Sequence, residues 1–91
     1  MKQKVFTVHD IKAEAYNTPF FANTKGLAIR SFSELVNDPK SSVYAYPADF
    51  SLFEIGEYDL LTGIISGYSH PVSMGSAVEY KKEPESLPLF D

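Results

Sequence analysis

Between Tyr46 and Gly63 the chain reads Tyr-Pro-Ala-Asp-Phe-Ser-Leu-Phe-Glu-Ile-Gly-Glu-Tyr-Asp-Leu-Leu-Thr-Gly. This stretch constrains the fold more than any other. Pro47 and Asp49 suit a turn or a one-turn helix, because proline is at home at a first helical position. Phe50 to Tyr58 is dense in aromatic and aliphatic residues, which predicts a strand. Asp59 to Gly63 reads as the loop after it, with Gly63 free to take the positive φ that a longer hairpin loop needs. Ile64 to Tyr68 returns as the second strand. Gly56 sits in mid-strand, where glycine weakens pairing unless a bulge or a close backbone approach requires it.

The rest of the chain arranges itself around this hairpin. In Lys2 to Ile11, Lys4, Phe6, Val8 and Asp10 face one way and Val5, Thr7, His9 and Ile11 the other. Both faces are partly apolar, which predicts a central strand. Ala13 to Phe21 predicts a second strand, held to an edge or an end by Pro19, which has no N–H for a ladder. Asn23 to Asp38 predicts the one helix. Asn23 or Thr24 caps it, Ala28, Phe32, Leu35 and Val36 recur at helical spacing with Ile29 beside them, and Pro39 ends it. Lys40 to Ala45 is a connector. Ser69 to Ser76 reads as a turn region on His70-Pro71 and Gly75, and Ala77 to Lys81 as a short strand, or as a helical turn begun near Ser73.

These elements predict an α+β fold: an antiparallel sheet of four to five short strands with one α-helix packed on one face. The domain spans residues 1–80. Residues 81–91, with two prolines and alternating charges, read as a C-terminal tail that is disordered or docks. One helix leaves the second sheet face open, carrying Phe53 and Ile55 if Leu52 faces inward. An apolar face of that kind commonly marks a partner surface, so a homodimer is expected.

Ninety-one residues without a cysteine exclude disulfides and thiolate metal sites, so packing or assembly must hold the fold. Seven Phe and six Tyr supply large rings, which suit a small core and can equally stack on bases. The net charge is −4 and unevenly spread: residues 1–40 carry six Lys or Arg against four acids, and residues 41–80 carry five acids and no Lys or Arg. A strongly cationic nucleic-acid binder is thereby disfavoured, and any basic patch belongs to the N-terminal strands and helix. No segment resembles a leader, and no apolar run approaches the ~20 residues of a membrane helix, so the expectation is a cytoplasmic protein with no membrane contact.

No catalytic constellation stands out. Glu54, Glu57 and Asp59 form a carboxylate cluster, and Glu57 and Asp59 would share a strand face within reach of a cation; strand-end acids are more often simply solvated. His9 and His70 have no nucleophile motif beside them. The chain is therefore read as a non-enzyme without a metal or cofactor. Aromatic residues interleave with the N-terminal cations: Lys2, Lys4, Phe6, Lys12, Tyr16, Phe20, Phe21, Lys25 and Arg30 are the candidate nucleic-acid contacts. Phe20 and Phe21 place one ring on each sheet face, one for the core and one as a stacking platform. Lys25 and Gly26 at a helix N-terminus add a weak phosphate signal. In the tail, Ser86-Leu87-Pro88-Leu89-Phe90 resembles the bacterial sliding-clamp-binding pentapeptide Gln-Leu-x-Leu-Phe. Leu87, Leu89 and Phe90 match it, and Ser86 replaces the preferred glutamine. The same apolar residues would equally serve to cover the domain or a partner subunit.

A longer ordered pattern runs through the chain. It comprises Pro19-Phe20-Phe21, Lys25-Gly26, Ala28-Ile29-Arg30-Ser31-Phe32 and Val36-Asn37-Asp38-Pro39. Tyr46-Pro47, Asp49-Phe50, Leu52-Phe53, Gly56-Glu57-Tyr58-Asp59 and Thr62-Gly63 complete it. Over roughly Lys2 to Tyr80 it resembles the small nonstructural protein of gokushovirus-type microviruses, which are single-stranded-DNA phages. That resemblance implies an accessory role in phage genome replication or packaging, with single-stranded DNA as the expected partner, and it supplies no catalytic residues. The alternative is a recruitment adaptor whose tail engages the host sliding clamp or another replication factor.

Overall fold

The computed structural model describes residues 1–82. Its architecture is α+β: an antiparallel sheet of five strands carries one main helix on one face. The strands are β1 (Lys2–Asp10), β2 (Ala15–Tyr16), β3 (Phe20–Ala22), β4 (Phe50–Asp59) and β5 (Ile65–Ser76). The helices are α1 (Lys25–Val36) and the short α2 (Ser42–Ala45). Single 3₁₀ turns follow at Pro47–Asp49 and Ala77–Tyr80. The order across the sheet is β2-β1-β4-β5, with β3 beside β2 on the same side of β1. The three longest strands, β1, β4 and β5, lie side by side, with the β4–β5 turn at one end.

β1 is buried on both faces from Val5 to Val8, as a central strand must be. Phe6 and Val8 face α1, while Thr7 faces away and donates its hydroxyl hydrogen to the Asn17 carbonyl at 2.7 Å. The segment expected as a single strand over Ala13 to Phe21 is broken in two. The Asp10 carboxylate accepts the Lys12 and Ala13 N–H groups, Glu14 takes φ 56°, and the chain turns before β2 begins. Pro19, with no N–H to offer, then separates β2 from β3.

Thr24 caps α1 by accepting the Leu27 N–H at 3.1 Å. Ala28, Phe32 and Val36 are buried against Phe6, Val8, Phe50 and Leu52. Leu35, expected on that stripe, lies at its margin and is 40% exposed. Burial of a Phe or Leu side chain contributes about 1.5–3 kcal/mol, and Phe6, Phe32 and Leu52 are closed off almost completely. The stretch Lys40 to Ala45 is more than a connector. Ser41 caps α2 through the Val43 N–H, and Val43 joins the core.

β5 is longer than the sequence pattern predicts, and the turn expected over Ser69 to Ser76 belongs to it. The pairing passes from Gly56 opposite Gly67 to Glu54 opposite Val72, so the residues from Tyr68 to Pro71 bulge out beside Ile55. Pro71 is tolerated because β5 is an edge strand. Gly56 is needed for close approach: a Cβ there would stand 2.5 Å from the Ser66 carbonyl oxygen. The chain then crosses to α1, where Tyr80 meets the Phe32 ring at 5.7 Å and Asn37 binds the Tyr80 carbonyl and the Lys82 N–H. No helix among the described residues is long and apolar enough to cross a membrane.

Candidate nucleic-acid interface

Strand alternation sorts the candidate residues onto two faces. On the helix side, Lys4 Nζ lies 3.6 Å from Glu54 Oε2 and 3.9 Å from Glu57 Oε2. Lys2 reaches Glu57 at 3.7 Å, and Lys25, at the start of α1, reaches Glu54 Oε1 at 3.8 Å. Tyr68 donates its phenol hydrogen to Glu54 Oε2. That bond, followed by burial and the Glu54 and Glu57 charges, pushes the Tyr68 pKa up to about 12. Glu54 itself is 4% exposed, and its Oε1 accepts no hydrogen bond among the described residues. The carboxylates of the hairpin therefore hold the N-terminal lysines. They do not form a separate acidic side turned away from them.

Asp59 does not join that cluster. It accepts the Leu61 N–H at 2.8 Å in the hairpin turn, and this bond first of all draws its pKa below the usual carboxylate value. Among the described residues, no group of three His, Cys, Asp or Glu side chains could hold a metal ion.

The opposite face carries rings. Phe21 on β3 meets Tyr58 on β4 edge-on, with centroids 5.4 Å apart. Tyr16 on β2 lies 4.6 Å from His9 on β1 and 5.7 Å from Phe53 on β4. Phe21 and Tyr16 are about half exposed, at 45% and 49%. The two ring sets sit at opposite ends of the β1 segment Val5–His9, roughly 13 Å apart at strand rise. Between them runs a shallow apolar groove of about 270 Å³, lined by Thr7, Tyr16, Asn17, Pro19, Ile55 and Pro71. Phe53 and Ile55 face this side and Leu52 the core, as the alternation predicts.

The structure thus divides the nine candidates. Phe6 is fully closed off in the core, and Phe20 packs partly buried against it at 5.8 Å, so neither ring is open to a base. Lys2, Lys4 and Lys25 are tied to Glu54 and Glu57 on the helix side. Lys12 stands exposed in the turn between β1 and β2, and Arg30 lies exposed on α1 beside Ile29 and Tyr80. Only Tyr16 and Phe21 reach the open face. The interleaving of rings and cations seen along the chain is a separation in space. His9, Phe53 and Tyr58 complete the open face, and none of the three was among the candidate contacts read from the sequence. Phe53 was legible as an outward residue. Tyr58 was not, because the irregular pairing between Glu54 and Gly56 shifts which later β4 residues share its face. Leu87, Leu89 and Phe90 lie outside the described residues.

Among the described residues, an antiparallel sheet with a helix over one face and half-exposed rings on the other defines a small α+β domain. The chain belongs to the family described as Phage ORF5 protein, which matches residues 3–80. It is a small phage protein. No curated protein and no solved structure matches it.

Proposed function

We propose that this protein is a non-enzymatic accessory protein of a microvirus-type phage, acting in the host cytoplasm in replication or packaging of a single-stranded genome. It binds single-stranded DNA through the open face of its sheet. The observation that carries this reading is the pair of ring sets, Phe21–Tyr58 and Tyr16–His9–Phe53, flanking an apolar groove on the sheet face away from α1. Every base has a π-face, so such a platform holds single strands with little sequence preference, at about 1–3 kcal/mol per stacked base. Membership of a phage family supports the setting.

The test is a fluorescence-polarisation titration with a labelled oligonucleotide at low salt. Saturable binding is expected, weakened roughly 5- to 150-fold by Phe21→Ala or Tyr58→Ala at that stacking energy. Lys25→Ala, on the other face, leaves it nearly unchanged. Absence of binding by the unaltered protein ends the proposal. A second reading rests on the tail sequence Leu87-Pro88-Leu89-Phe90: recruitment of the host sliding clamp. Removing residues 86–91 would then abolish clamp pull-down with the fold intact, and an undiminished pull-down rejects it.

A further inference from the structure

We propose that the outer edge of β5 between Ile64 and Tyr68 joins two copies of this chain, antiparallel about a two-fold axis at Ser66, into one continuous sheet. This inference stands apart from DNA binding. It begins with the two edges of the sheet, which are treated differently. The β2/β3 edge is short and interrupted by Pro19, a device that keeps other strands from adding. The β5 edge has no such guard along Ile64–Gly67, because its bulge and Pro71 come later. From Leu60 to Val78 the chain has no Asp, Glu, Lys or Arg, so no edge charge repels a second strand.

The geometry of the edge suits a second copy in particular. The Asp59 N–H donates to the Ile64 carbonyl at 2.9 Å, so that carbonyl points inward, toward β4, while the Ile64 N–H donates to the Thr62 hydroxyl within the turn. By alternation, Ile65 and Gly67 direct their backbone groups outward. A two-fold axis at Ser66 sets Ile65 opposite Gly67 of the partner subunit, and each such pair exchanges N–H···O bonds in both directions. It sets a large side chain over a glycine, and Ile64 opposite Tyr68 of the partner subunit, with no like charges facing. Ile64 and Ile65, 59% and 60% exposed here, would be covered. Ile65 pairs with Tyr58 on the open face, so joining two chains at β5 makes their ring-bearing faces one surface.

Sedimentation equilibrium of the full chain tests the proposal. A mass twice the 10.2 kDa of one chain is expected. Ile65→Lys, which sets a charge on the edge, should give the single-chain mass with an unchanged far-ultraviolet circular dichroism spectrum. The chain has no cysteine, so Ser66→Cys is a clean reporter: under a mild oxidant it should form a disulfide-linked dimer, while Ser31→Cys on α1 should not. A monomeric unaltered protein, a dimer that survives Ile65→Lys, or cross-linking at position 31 and not at 66 would each overturn it. Ser66→Cys keeps the test decisive if Ile65→Lys fails to fold.

Discussion

Glu54 lies on the helix side of β4, 4% exposed, with Lys4, Lys25 and the Tyr68 hydroxyl converging on its carboxylate. A buried carboxylate is costly unless paired, and three partners from β1, α1 and β5 supply the pairing. The consequence is measurable at Tyr68. Its pKa is pushed up to about 12 from an ordinary 10.0, chiefly because Glu54 accepts the phenol hydrogen. A raised folded-state pKa means the protonated phenol is favoured in the fold. The stabilisation is therefore complete below pH 10 and is lost as the pH rises through about 12. An ultraviolet titration of tyrosinate should show one of the six tyrosines ionising late, and Glu54→Gln should bring it back toward the ordinary value. If the late tyrosine persists in Glu54→Gln, the hydrogen bond is not the cause. The sequence displayed the carboxylates of this cluster as neighbours. It could not display the lysines, which come from Lys4 and Lys25, far away in the chain.

At the scale of elements, α1 was the most legible, because its signals are local: a threonine cap, an apolar repeat and a closing proline. The hairpin was legible up to the point where its strands stop being regular. Gly56 announced a constraint, and the constraint is the Ser66 carbonyl, 2.5 Å from where a Cβ would stand. Gly56→Ala should force β5 away from β4 and destabilise the protein by about 1–3 kcal/mol, as overpacking does. In thermal unfolding this is a drop of roughly 4–8 °C for each kcal/mol in a domain of this size. An unchanged midpoint would show that the strands yield without cost. The far half of β5 was not legible. His70-Pro71 and Gly75 carry turn chemistry, and only the partner strand, which absorbs the excess residues in a bulge beside Ile55, makes them part of a strand.

At the scale of the whole molecule, the salt response follows from the separation of charges and rings. Lys2, Lys4 and Lys25 are engaged by Glu54 and Glu57 on the helix side, and the net charge is −4, so few of the candidate cations stand beside the rings to meet phosphates. Each phosphate contact on a single strand contributes a slope of about −0.7 in log affinity against log salt. Oligonucleotide binding should therefore weaken only shallowly with salt, by a slope of about −2 or less in magnitude. A steep slope would mean that lysines, and not rings, carry the contact. Composition and periodicity by themselves determined that this chain is an α+β domain with one capped helix, a central β1 and a hairpin at β4, since those properties are written in local spacing. They also led to the expectation that one sheet face is left open to a partner, because the sequence pattern offers one long helix. Alternation already set Phe53 and Ile55 on that face, but which other rings join them was decided by the tertiary structure. The register of five strands, with bulges beside Phe6 and Ile55, sends Phe6 to the core, Tyr58 outward and the lysines to the far side. A shift of one residue in a strand exchanges its two faces, and the pairing that fixes it lies many residues away.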